Sequence, residues 1–301
     1  MKQVLFSISL FFIVSSAYGQ QDPLYAQYIN NPMVINPGYT GINNVLNASL
    51  SYRTQWTGLD GAPNTAAFSA HSSFFDNLLG LGLVIVRDKV GSTTNTQISA
   101  TSAYKIDFGE AKLSFGMQAG IFSLEESNSE LTIKDNNDPV FGGDETFSKF
   151  NIGAGIVLKS PKYYLGLSVP RLVNSKEDFG MIESQLYQRH FYFGAGYLIN
   201  LNTDLALKPT ALFKGVADAP VSVDLNGSVI LRDKYTIGAL TRNFETFGLL
   251  AQINFDHNIR IGYVGEIPTN KSVGTEFTSH EISITLDLEV FDFHFLDERH
   301  F

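Results

Sequence analysis

Residues 46–56 read Leu-Asn-Ala-Ser-Leu-Ser-Tyr-Arg-Thr-Gln-Trp. Leu46, Ala48, Leu50, Tyr52 and Trp56 alternate with Asn47, Ser49, Ser51, Arg53 and Gln55. A period of two places one set on each face of an extended strand, one face apolar and the other polar. The same pattern recurs outward along the chain. Ile98, Ala100, Tyr104 and Ile106 oppose Gln97, Ser99, Thr101 and Lys105. Leu113, Phe115, Met117, Ala119 and Ile121 oppose Ser114, Gly116, Gln118 and Gly120. Val223, Leu225, Val229 and Leu231 oppose Asp224, Asn226 and Ser228, and Ile282, Ile284, Leu286 and Leu288 oppose Ser283, Thr285 and Asp287. Glycines repeatedly stand opposite bulky residues, as Gly80 and Gly82 do against Leu81 and Leu83, and Gly153 and Gly155 against Ile152 and Ile156. Periodicity alone leaves the facing open. A soluble sandwich turns the bulky set inward, and a membrane barrel turns it toward lipid.

Composition narrows the choice. The 301 residues contain no cysteine, which removes disulfide frameworks, thiolate metal sites and cysteine nucleophiles. The net charge of -9 argues against a nucleic-acid surface. Charged residues make up 17% of the chain, below the ~25% of ordinary soluble domains, while mean hydropathy is near zero. A transmembrane barrel reconciles low charge with neutral hydropathy, because one face of each strand meets lipid. Residues 46–288, shared among strand-and-turn units of roughly 17 residues, hold about fourteen strands. Their centres fall near residues 51, 68, 84, 101, 117, 154, 166, 194, 209, 225, 238, 250, 262 and 283. Paired aromatics near strand ends (Tyr52 and Trp56, Phe74 and Phe75, Tyr163 and Tyr164, Phe191 to Phe193, Phe291 to Phe295) fit interfacial girdles.

The expected organisation has four parts. Residues 1–19 form a signal peptide, with Lys2, an apolar run from Val4 to Val14, and Ala17 and Gly19 at the cleavage positions. Residues 20–45 form an extension punctuated by Pro23, Pro32 and Pro37. Prolines make it poor strand material, and Tyr25, Tyr28, Met33, Ile35 and Tyr39 give it apolar residues to bury in or on a barrel. Residues 46–290 form the barrel, and 291–301 a tail. Long loops are expected at 124–148, 171–187 and 267–278, the second with room for one helical turn. Much of the acidic surplus lies in the first of these and in the tail.

No constellation for catalysis emerges. The six histidines form no pair at ligand spacing, and there is no G-x-S-x-G elbow. Asp135-Asn136-Asn137-Asp138 begins like a calcium loop but lacks its glycine and glutamate in register. No enzyme, metal or cofactor is expected. The polar strand faces carry Arg53, Lys105, Lys208, Asp224, Arg242 and Arg260, candidates for a paired or wet lumen.

Several strings resemble the PorP/SprF family of outer-membrane proteins of the type IX secretion system in Bacteroidetes. They begin with Asp22-Pro23-Leu24-Tyr25-Ala26-Gln27-Tyr28, Ile35-Asn36-Pro37-Gly38-Tyr39-Thr40-Gly41 and Ser51-Tyr52-Arg53-Thr54-Gln55-Trp56-Thr57-Gly58-Leu59-Asp60-Gly61. Gly80-Leu81-Gly82-Leu83, Arg189-His190-Phe191-Tyr192, Lys208-Pro209, Pro220-Val221-Ser222-Val223-Asp224 and Ile259-Arg260-Ile261-Gly262-Tyr263 follow in order. Val264-Gly265-Glu266 departs from the family's usual continuation, and the tail is acidic where relatives tend to be basic. The resemblance implies a non-enzymatic outer-membrane barrel of the secretion, and in some members gliding, machinery. Its implied partners are the bilayer, machinery subunits, and a secreted adhesin or other type IX cargo held through its C-terminal region. Arg53, Trp56, Asp60, Lys208, Asp224, Arg260, Asn36, Pro37 and Tyr39 are the candidate lumen or partner-binding residues. The competing expectation is a passive porin-like channel.

Overall fold

A computed structural model describes residues 28, 31–127, 144–173, 189–217, 219–255, 258–269 and 274–294, with backbone only for 175–179 and 182–187. The expected signal peptide, most of 20–30, the centre of loop 124–148 and the end of the tail lie outside the described residues. The strands are β1 (Leu46–Thr54), β2 (Asn64–Phe74), β3 (Leu79–Val90), β4 (Thr93–Phe108), β5 (Ala111–Glu126), β6 (Glu145–Lys159), β7 (Tyr163–Val169), β8 (Ser175–Phe179), β9 (Ile182–Tyr187), β10 (His190–Tyr197), β11 (Ile199–Asn200), β12 (Leu205–Val216), β13 (Ser222–Leu231), β14 (Tyr235–Arg242), β15 (Thr246–Phe255), β16 (Ile259–Pro268) and β17 (Ser279–Leu288).

Each wall strand pairs antiparallel with its neighbour in sequence, and β1 pairs with β17 to close the ring. Both β10 and β11 pair with β12, so they occupy one wall position interrupted at Leu198. The result is a closed barrel of 14 strands. Closure leaves no wall strand at the edge of an open sheet, the condition for strands to stand in lipid. Segment 171–187, expected to hold a helical turn at most, instead carries the separate hairpin β8–β9.

The bulky set faces outward. Leu50, Phe68, Ile85, Ile98, Ile121 and Phe150 form one continuous row across β1 to β6 in direct register. A second row runs Leu79, Tyr104, Phe115, Ile156, Leu167, Phe193 and Phe213. On β4 the outward apolar side chains extend from Ile98 to Phe108, which at ~3.3 Å per residue and a tilt of ~40° spans about 25 Å of height. That is the thickness of a lipid-facing band. The same exposed area on a soluble protein would be an aggregation surface.

Adjacent aromatics split between the two faces. Tyr52 and Phe193 look outward, while Tyr164 and Tyr192 are buried in the lumen. The expected girdle is therefore thinner than a count of aromatics suggests, because neighbouring residues on a strand point oppositely.

The two ends of the barrel differ. Connections 75–78, 109–110, 160–162, 201–204 and 232–234 are short turns, and both ends of the wall, Leu46 and Leu288, lie with them. The longer connections, 55–63, 127–144, 170–189 and 269–278, all join strands whose facing ends are at the other end. These are called the turn end and the loop end below.

A barrel of this strand number encloses more space than wall side chains fill, since side chains fill only barrels of about eight strands. Residues 31–45 occupy that space. They form two single-turn 3-10 helices, Pro32–Val34 and Pro37–Tyr39, whose prolines sit where no backbone donor is needed. Met33, Tyr39 and Ile42 pack against inward Val84, Val86 and Val157 of the wall and against Leu198, Ala206 and Ile230. The lumen is thus part apolar core, which the alternation of the wall strands does not announce.

Candidate functional site

The inner segment is seated by glycine and by hydrogen bonds. A side chain at Gly116 would place its Cβ 2.2 Å from the Pro37 carbonyl carbon. At Gly80 it would lie 2.0 Å from Thr40 O, and at Gly155 2.0 Å from Asn36 Oδ1. The inward glycines therefore carve the bed in which residues 36–41 lie.

Asn36 binds it most specifically. Its Nδ2 donates to Ile156 O (3.3 Å) on β6 and Leu167 O (3.4 Å) on β7, while its Oδ1 accepts from Gly38 N (2.9 Å). Ser168 Oγ donates to Ile35 O (2.7 Å), Gly41 N–H donates to His71 Nδ1 (3.0 Å), and Lys105 Nζ donates to Gly41 O (2.6 Å). Tyr39 packs edge-on to Tyr164 at 6.1 Å. Burial raises the Tyr39 phenol well above its ordinary pKa, so it stays neutral in this bed.

The opposite wall carries a network of buried charges near the loop end. Arg53 on β1 pairs with Glu266 on β16 and with Glu281 on β17 (3.3 Å). Arg242 on β14 holds Asp224 on β13 through Nε and Nη2 at 2.9–3.0 Å, and its Nη1 lies 3.8 Å from Glu266 Oε1. Glu266 therefore stands between two guanidiniums. Tyr28, ahead of the inner segment in sequence, also lies near this network. Burial raises its phenol pKa, and Asp224 pushes the same way. Nearer the turn end Arg260 pairs with Asp287 (3.2 Å), which also accepts from Asn47 (2.7 Å). Lys208 is buried in the same lumen.

Of the sequence candidates, Asn36, Pro37 and Tyr39 come together in the inner segment. Arg53, Asp224, Lys208 and Arg260 line the wall around the lumen. Trp56 and Asp60 do not join them; both lie in connection 55–63 at the loop end. Trp56 is half-buried with a left-handed backbone (φ 50°), and its N–H donates to Ser279 Oγ (3.3 Å). Phe244, which sequence reasoning passed over, has the same strained backbone (φ 57°) at the tip of turn 243–245 and is 67% exposed. A bulky residue at positive φ is uncommon, because its Cβ crowds the backbone. Thr57 N–H donates to Thr278 O (2.8 Å) and Thr269 N–H to Glu245 O (2.7 Å). These bonds tie both aromatic tips to the two ends of connection 269–278. The partners Glu266, Glu281 and Asp287 were also missed, although Glu266 belongs to the stretch Val264-Gly265-Glu266 that the sequence set apart.

A family model described as "Type IX secretion system membrane protein PorP/SprF" matches residues 17–286. The chain belongs to the PorP/SprF family. It is an outer-membrane β-barrel protein of the type IX secretion system. Among solved structures, the PorP/SprF chain is similar to a deletion mutant of the TodX monoaromatic hydrocarbon channel. Identity is 10% with a TM-score of 0.51, covering 86% of this chain and 94% of that one. It is also similar to Omp33 of Acinetobacter baumannii, at 7% identity and TM-score 0.47 over 82% of this chain and 100% of that one. Outer membrane phospholipase A from Escherichia coli matches at 10% identity and TM-score 0.39, covering 89% of this chain and 100% of that one. At these identities the likeness to TodX speaks for the barrel fold alone. No curated protein matches the chain at a significant level.

Proposed function

We propose that this PorP/SprF protein is a closed, non-enzymatic anchor rather than a passive pore. In this reading the loop end faces outward and holds the C-terminal region of a secreted adhesin or other type IX cargo. The turn end faces the periplasm and the secretion machinery. Short turns on the periplasmic side are the rule for such barrels.

The observation that supports the reading is the inner segment seated against the lumen wall. Residues 31–45 are bonded to the wall along their length, and the opposite wall is cross-linked by Arg53, Glu266, Arg242 and Asp224. A cylinder closed by its strand ladder and cross-linked inside bears load without needing a conduit. At its loop end, Trp56 and Phe244 are the residue types on which interface energy concentrates. Strain at such positions is a common mark of a working surface.

The test is deletion of residues 22–41 in the native host. Expected is normal membrane insertion, read as heat-modifiable migration, with surface display of the secreted partner reduced at least fivefold. Normal display would sink the reading. Co-purification from native membranes of a stoichiometric secreted protein or secretion-machinery subunit is the second expected result.

A further inference from the structure

We propose that the outer face of β1 to β4 at the loop end is a binding site for the phosphate of a lipid headgroup. It rests on the outer-membrane location of the barrel and on the loop end facing outward, and not on the cargo-anchoring role.

The argument starts from where the strand cations point. Arg53, Lys105, Lys112, Lys159, Lys208, Lys214, Arg242 and Arg260 stand at inward positions, buried or reaching the inner segment. Among the described wall residues, Arg87 and Lys89 are the cations that face outward, and both are exposed. They occupy alternate positions of β3, so they share one face. Asp88 between them points inward, where its Oδ1 accepts from Thr65 Oγ1 (2.5 Å).

Their depth is read along β3 itself. Ile85 is the last outward apolar residue of that strand after Leu79, Leu81 and Leu83, and Arg87 follows two residues on, about 7 Å along the strand. That is headgroup level, directly over the apolar band. Arg87 makes no ion pair with any described residue. Outward Glu125 lies two strands away, across Thr94. A guanidinium at the lipid boundary needs an anion or water, and its planar fork fits two phosphate oxygens.

The surroundings suit a lipid more than a free ion. In the same row Arg87 neighbours Ala66 on β2, and Ala66 neighbours outward Tyr52 on β1. The small alanine side chain thus stands between a cation and a phenol. Asn64 and Thr96 flank it with hydrogen-bonding groups, while Phe68 and Ile85 lie below for acyl chains. The chain carries a net charge of -9, yet the outward wall face here is positive. An anionic headgroup is the complement.

The experiment uses the full mature chain, solubilised and folded, and native mass spectrometry of bound lipid. The probes are lipid A carrying its phosphates, the same lipid dephosphorylated, and inorganic phosphate. Expected is at least fivefold greater retention of the phosphorylated lipid, with no competition from millimolar inorganic phosphate. The Arg87→Gln/Lys89→Gln variant should lose that advantage, and Lys234→Gln at the turn end should keep it. Equal retention of the two lipids by the unaltered protein overturns the proposal, and that comparison needs no variant to fold. An unchanged preference in the folded double variant overturns it too, as does displacement of the lipid by inorganic phosphate.

Discussion

Gly116 holds more of the design than its size suggests. A Cβ there would overlap the Pro37 carbonyl carbon and the Gly38 nitrogen, both backbone atoms that no rotamer change can move. Gly116→Val should therefore expel the inner segment while leaving the wall paired. A cysteine placed at Tyr39 in that background is expected to react with a polar maleimide at least tenfold faster than in the parent. Gly227→Val is the control, since its Cβ meets nothing within 4 Å, and its labelling rate should stay at the parent level.

The charged residues make a second test at this scale. Glu266 is fully buried between Arg53 and Arg242. Glu266→Ala leaves two guanidiniums short of a counter-charge, and breaking such a pair costs about 3–5 kcal/mol. The expected readout is a lower urea midpoint for loss of heat-modifiable migration, with Glu266→Gln falling between the two. Arg53 was legible in the sequence as a lumen charge, but its partners were not. Glu281 lies 228 positions away and meets Arg53 only because the last strand closes on the first. Ring closure is a property of the whole sheet, so no local window contains it.

At the scale of elements, alternation together with the length of a strand-and-turn unit placed the wall strands, because a lipid-facing strand must repeat its pattern for its full length. Hairpin β8–β9 was less legible. Its sequences, Ser-Lys-Glu-Asp-Phe and Ile-Glu-Ser-Gln-Leu-Tyr, carry no alternating apolar face, since a hairpin outside the band has no lipid to meet. Turns carry their own signal. Asn243 and Phe244 both have positive φ, with Glu245 N–H donating to Arg242 O (2.9 Å), the primed geometry that strand twist favours. Glycine is the residue this second position prefers, so Phe244→Gly should stabilise the barrel by roughly 0.5–1 kcal/mol. A raised urea midpoint together with weaker retention of the secreted partner would place the cost of that strain on the binding side. A gain in stability with unchanged retention would make Phe244 a turn residue only.

Over the whole molecule, strand number and inner segment form one argument. Fourteen strands lie closer to the sixteen to eighteen that leave an aqueous channel than to the eight that side chains fill. Whether such a barrel conducts then depends on what else lies inside it. Here residues 31–45 contribute Met33, Tyr39, Ile42 and Val45, all buried, and hydrogen bonds along one side of the wall. The apolar wall residues Val84, Val86 and Val157 would otherwise line water, which explains why they stand at inward positions of polar strands. The closed reading predicts no step conductance when the full mature chain is inserted in planar bilayers. Removal of residues 22–41 should open it, giving discrete steps at least tenfold above baseline in a barrel that still shows heat-modifiable migration. Steady conductance by the intact chain, equal to that of the deletion, would mean that the inner segment leaves a continuous water path, and the passive porin-like reading would replace the anchor.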